Sequence, residues 1–237
     1  MAIEATTEPP LDAVAVAERV DKQVIQLFAL VSDGIAGATH ALLADDRGAA
    51  RALVDRDEEV DKLYREVEQL LLDHLLSAVL APARLRYLIA VLRLLPELER
   101  SGDLAEHVAE RAVRGVAAEM SARARGLVER MGEVACNMWR MTADAYGRRV
   151  VGLPDRLDEL DDGMDELHRL LLAELAGGSM QLPVVIEGVL IGRFYERLGD
   201  HAVNIARRLP TIAPRPDAPR TDAPRPDAPW GDGPVAR

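Results

Sequence analysis

Residues 99–105 read E-R-S-G-D-L-A, and residues 196–202 read E-R-L-G-D-H-A. Each copy sets a Glu and an Asp four residues apart, Glu99 with Asp103 and Glu196 with Asp200, with Arg and Gly between them. In a helix that spacing puts both carboxylates on one face, about 5–6 Å apart at Cβ. Like charges so placed weaken a helix, so a duplicated pair points to a shared cation. Five identities in seven residues arise by chance in about 1% of chains this long. Internal duplication is the better account.

The match extends outward. The second motif follows the first by 97 residues, and Ala109 and Arg111 meet Ala206 and Arg208 at the same offset. A second acidic pair, Asp57 and Asp61, has its counterpart in Asp161 and Asp165, with Leu63 matching Leu167. Helical periodicity surrounds these motifs. A first helix, capped by Asp12, aligns Val20, Val24, Leu27, Val31, Ile35 and Leu42. After a break at Asp45 and Asp46, a second carries Val54, Val60, Leu63, Val67, Leu71 and Leu75. Pro82 opens a third, with Leu85, Leu88, Ile89, Leu92 and Leu95 on its apolar side, running to about Arg114. A fourth uses Met120, Leu127, Met131, Val134, Met138 and Met141. Gly152 and Pro154 precede a fifth, with Leu157, Leu160, Met164, Leu167 and Leu171, which Gly177 and Gly178 end. A sixth spans about Leu182 to Leu209. The expected fold is all-α: two tandem three-helix bundles of six long antiparallel helices. Residues 1–11 are a flexible N-terminus, 12–115 and 116–209 are the two repeats, and 210–237 are a disordered tail. The tail's Pro/Arg/Asp pentads have no apolar face to bury.

Composition narrows the function. The net charge of −11 argues against nucleic acid as a partner. Only 3% of residues are aromatic, and Ala, Leu and Val fill helices well. A single cysteine, Cys136, excludes an intrachain disulfide and a thiolate-only metal site; it sits with Met138 and Met141 on a core-like face. The acidic N-terminal stretch does not read as a signal peptide. No uninterrupted apolar run reaches the roughly eighteen residues of a membrane span, so a cytoplasmic, soluble protein without direct membrane insertion is expected.

The carboxylate pairs supply oxygen ligands, which suit Fe, Mn, Mg or Ca. If the second and third helices of each repeat pack antiparallel, Asp57 and Asp61 face Glu99 and Asp103, and Asp161 and Asp165 face Glu196 and Asp200. His107 and Asn204, each eight residues beyond the motif Glu, can add a ligand or a supporting hydrogen bond. Gly102 and Gly199 cost about 1 kcal/mol each in a helix interior relative to Ala, which points to close approach by a neighbour. Arg100, Arg197 and Arg86 either neutralise nearby acids or meet an anion or partner. Against a carboxylate-bridged metalloenzyme, whether di-iron oxidase or phosphohydrolase, no histidine follows a Glu by three residues, as the ferritin-like arrangement requires. A metal-free helical scaffold or adaptor is the remaining alternative.

Three stretches together resemble the PhoU family of phosphate-signalling regulators: Arg84 to Ala105 (R-L-R-Y-L-I-A-V-L-R-L-L-P-E-L-E-R-S-G-D-L-A), Asp57 to Leu63 (D-E-E-V-D-K-L) and Tyr195 to Ala206 (Y-E-R-L-G-D-H-A-V-N-I-A). The resemblance covers about residues 12–209. It implies a six-helix, non-enzymatic negative regulator of the phosphate regulon, linking the high-affinity phosphate ABC transporter, through its ATPase, to a phosphate-sensing histidine kinase. It further implies a homodimer, peripheral at the inner face of the membrane through its partners. One multinuclear cluster per repeat is implied, of Fe or Zn first and Mn or Mg second, on Asp57, Asp61, Glu99, Asp103, Asp161, Asp165, Glu196 and Asp200. The chain departs from the family pattern at Arg84, usually Asp, and at His107, usually Asn. Pro96 is also unusual and should kink the third helix one turn before Glu99. That makes the second copy the safer metal site.

Overall fold

The structure, a computed structural model, describes residues 13–77, 80–148 and 153–212. The Asp12 cap, Gly152, the N-terminal residues, the segment from residue 213 onward and the side chain of Asp57 lie outside the described residues. Seven α-helices are present among them: α1 (Ala13–Ala44), α2 (Arg47–Val54), α3 (Asp57–Ser77), α4 (Pro82–Val113), α5 (Ala122–Arg148), α6 (Pro154–Ala176) and α7 (Leu182–Ile212), with a 3-10 turn at Val116–Glu119. Helices α1, α3 and α4 form the first three-helix bundle, and α5, α6 and α7 form the second. Across the junction α4 packs on α7 and α1 on α5, so both bundles share one apolar core, with α3 and α6 on the outside.

The short α2 corrects the expected second helix. Asp46 caps it, its Oδ1 accepting from the N–H groups of Gly48 (3.1 Å) and Ala49 (2.9 Å). It stops at Val54 because the apolar row loses phase there. The positions that would continue the row, three and four residues on, are Asp57 and Glu58, and the next row starts afresh at Val60. At the other end, Gly178 adopts φ +74° and closes α6 as expected. Helix α7 runs on through Pro210 and Thr211 to Ile212, into what was expected to be tail.

Helix α1 is apolar enough over Ala15–Ala44 (mean hydropathy 1.5) to cross a membrane by length and composition, which the search for an uninterrupted apolar run did not anticipate. Here it is a core helix: Val20, Val24, Leu27, Val31 and Ile35 are each at most 1% exposed. Its one deeply buried carboxylate, Asp21, accepts hydrogen bonds from the hydroxyls of Tyr87 on α4 (2.6 Å) and Tyr146 on α5 (2.8 Å). Those bonds tie α1 to both bundles and satisfy a buried charge.

Two of the five core positions expected on the third helix are not core. Leu85 is 40% and Ile89 36% exposed. The segment from Leu85 to Leu95 is apolar nearly all round, so periodicity does not select the inward face. The row Tyr87, Leu88, Val91, Leu94, Leu95 and Leu98 takes the core instead.

Candidate metal centre

The two acidic regions lie on two helix hairpins, α3/α4 and α6/α7. On the first hairpin, Asp61 of α3 meets Glu99 and Asp103 of α4. Each offers an oxygen, and the three lie within 4.8 Å of one another. All three are half-buried. Burial, and then the negative charge of Asp61, raise the Asp103 carboxyl above its ordinary pKa, against the opposing pull of His107 and Arg100. Tyr64, one turn beyond Asp61 and hydrogen-bonded to Glu68 Oε1 at 2.9 Å, is pushed up to about 12 by burial, by that bond and by the charges of Glu68 and Glu99. Pro96 lies inside α4, whose helix continues unbroken past it to Val113.

On the second hairpin, burial and the charges of Asp200, Asp165 and Glu196 push the Asp161 carboxyl up to about 6. Glu196 is also raised, by burial and then Asp200, although Arg193 pulls the other way. Asp161 and Glu196 are therefore held close to neighbouring carboxylates. The oxygens of the four acids do not form a compact trio like the first, and Glu196 is ion-paired to Arg193, one turn back on α7. Asp161 Oδ1 sits where a Cβ on residue 199 would lie, only 2.7 Å away. Gly199 is thus the residue that lets the α6 carboxylate rest against α7. Its helical cost is explained by this approach, as the sequence suggested.

Between the hairpins, α4 and α7 cross at a buried polar centre. The Ser101 hydroxyl donates to the Glu97 carbonyl (2.6 Å), so its oxygen accepts from His201 Nδ1 at 2.9 Å. That assigns the proton of the neutral imidazole to Nδ1 and leaves Nε2 facing Glu97 Oε2 at 3.8 Å. Burial favours this neutral form by lowering the His201 pKa. Arg208 completes the group, Nη1 to Glu97 Oε1 at 2.9 Å. On the far side Arg111 stacks over Phe194 (5.0 Å to the ring centroid) and pairs with Glu187 at 3.1 Å. His107 also lies against Phe194, with ring centroids 5.2 Å apart, and its buried Nδ1 has no hydrogen-bond partner.

A family profile described as the PhoU domain matches the chain twice, over residues 24–112 and 128–209. The chain belongs to the PhoU family. Its PhoU-family relatives include a Caulobacter vibrioides protein named phosphate-specific transport system accessory protein PhoU homolog, 29% identical over 189 residues, which are 78% of this chain and 82% of that one. A Pseudomonas putida protein of the same name is 30% identical over 193 residues, 80% of this chain and 75% of the relative. Among solved structures, PhoU from Pseudomonas aeruginosa superposes with a TM-score of 0.79 at 27% identity, covering 85% of this chain and 98% of that one. The PhoU fold is thereby the fold of this chain.

The sequence reading missed Arg193, whose signal was a basic residue three positions before a motif Glu, the spacing of a helix ion pair. It also missed the Glu97, His201 and Arg208 centre. Those residues are far apart in the chain and meet only because α4 and α7 cross.

Proposed function

We propose that this chain is a cytoplasmic, non-enzymatic regulator of phosphate homeostasis that restrains the phosphate regulon, joining the phosphate ABC transporter to its sensor histidine kinase. Its two repeats, residues 12–115 and 116–209, each carry a multinuclear metal cluster, of Fe or Zn in first place and Mn or Mg in second. Asp57, Asp61, Glu99 and Asp103 serve the first cluster; Asp161, Asp165, Glu196 and Asp200 serve the second. The protein acts as a homodimer, held at the membrane through its partners.

The observation that carries this reading is the paired occurrence of the PhoU domain together with the gathered oxygens of Asp61, Glu99 and Asp103. The donor set fits a hard or borderline cation, because every motif ligand is a carboxylate. Burial and then neighbouring negative charge raise the carboxyls of Asp103, Asp161 and Glu196, the last despite Arg193, and a cation would relieve that repulsion. The orphaned Nδ1 of His107, one turn beyond Asp103, is a polar atom that a cation or its bound water would satisfy. A bound ion would supply a fixed positive charge that locks each hairpin. Names of the relatives, accessory proteins of the phosphate-specific transport system, support the transporter link and a non-enzymatic role.

Co-purification with the transporter ATPase and with the sensor kinase tests the regulatory part. Capture of both is expected; capture of neither would contradict it.

A further inference from the structure

On α4 and α7, exposed large apolar side chains recur at equivalent places in the two repeats. On α4, Leu85 and Ile89 are 40% and 36% exposed; shifted by the repeat offset, they become Leu182 and Ile186 on α7, 69% and 52% exposed. Half-buried Leu92 becomes Val189, 37% exposed. On each helix these three stand at i, i+4 and i+7, one stripe, which continues at i+14 and i+18 into the motif Glu and Asp. Each facing helix adds one exposed leucine three turns past a motif acid, at a different repeat position in the two copies: Leu72, 38% exposed, follows Asp61 by eleven residues on α3, and Leu172, 38% exposed, follows Asp161 by eleven on α6. Each hairpin therefore presents a seam with an exposed apolar end and an acidic end.

Single exposed leucines need no explanation. A row left uncovered twice, at equivalent places, marks an interaction surface. The two rows are also related in space. Arg111 on α4 reaches residue 194 on α7, and its counterpart Arg208 reaches residue 97, the counterpart of 194. Contacts that exchange in this way describe an approximate two-fold axis between α4 and α7, so the seams form a symmetric pair.

We propose that the two seams are the docking surface for a two-fold symmetric protein partner, which lays one copy of the same amphipathic helix on each. Two identical grooves on one chain match two identical elements on a homodimer, the commonest protein symmetry. Charge selects the occupant. The acidic ends of the seams repel one another and an anionic bilayer, so a second copy of this chain does not seat on the seams and the homodimer contact lies elsewhere. The same charge, within a net −11, attracts a helix whose basic residues lie beyond its apolar row. From Ile186 to Glu196 is ten residues, about 15 Å of helix, so those basic residues sit two to three turns along. A cation on the same carboxylates would compete with them.

The partner used in the test rests on the transporter reading above, since an ABC transporter carries its ATPase as a pair. Chelator-treated full-length chain is mixed with the purified dimeric phosphate-transporter ATPase and followed by sedimentation velocity. Each chain of the homodimer should engage one ATPase dimer. Ile89→Glu and Ile186→Glu should each weaken binding about tenfold, and together at least about a hundredfold. Ile25→Glu, at a 49% exposed site on α1, should leave it unchanged, and circular dichroism should show full helicity throughout. Undiminished binding by the double variant overturns the seam proposal and leaves the transporter reading standing. No binding by the unaltered chain overturns both. Self-association, or co-sedimentation with phosphatidylglycerol vesicles, that is abolished by the double variant would assign the seams to a second copy or to lipid and overturn the proposal.

Discussion

The two carboxylate clusters descend from one motif, and one difference between them lies a single turn before the motif Glu. In the second copy Arg193 stands one turn before Glu196 and ion-pairs with it. In the first copy the equivalent position is Pro96, which offers Glu99 no charge, and there three acids converge within 4.8 Å. The sequence favoured the second cluster because a proline kink threatened the first. The structure gathers the first cluster more closely: α4 continues past its internal proline, and Asp61 joins the trio although it pairs with Arg65 at 3.5 Å, whereas in the second copy Glu196 is held by Arg193. Duplication conserves the ligands, but their surroundings decide how closely they gather.

Exchanging the two residues breaks the comparison most sharply. Pro96→Arg restores a helix hydrogen bond and should raise stability by up to about 3 kcal/mol, seen as a higher melting temperature. The same substitution should weaken metal binding at the first cluster. A smaller effect is expected from Gly199→Ala. Alanine gains about 1 kcal/mol of helix propensity, but its Cβ must displace Asp161 Oδ1. Calorimetric titration should show second-cluster affinity falling about tenfold, with the first unchanged. Arg193→Ala should act in the opposite direction. Freed from an exposed ion pair, Glu196 should bind metal up to about fivefold more tightly.

The smallest effect is on pH dependence. Asp161 has its carboxyl raised from 3.8 to about 6 by folding, so between those values the native state holds more protons than the unfolded chain. Stability of the metal-free protein should therefore fall as pH rises through that window. Thermal melts should be higher at pH 5 than at pH 7. Asp161→Asn should flatten the trend and raise the melt at pH 7.

How much of this was legible beforehand follows from what each feature depends on. The long helices, the duplication and the acid pairs are properties of local spacing, and the chain displays them openly. Gly199 was legible as a cost awaiting a cause; the cause, Asp161, lies on another helix. The end of α2 could have been read from the phase slip between Val54 and Val60. Exposure of Leu85 and Ile89 could not, because α4 is apolar on several sides there and only the packing partner selects one. The Glu97, His201 and Arg208 group depends on how two helices cross, which no local pattern encodes. Asp21 is similar: an acid on the buried face of α1 becomes intelligible only when Tyr87 and Tyr146 arrive from α4 and α5.

The central claim is that each hairpin seam is a cation site built from its own acids. Elemental analysis of protein purified without chelator tests it directly, comparing the unaltered chain with Glu99→Gln/Asp103→Asn and with Glu196→Gln/Asp200→Asn. The account predicts bound Fe, Zn or Mn in the unaltered chain, with each double substitution emptying its own cluster and sparing the other. Metal content unchanged by both would contradict it.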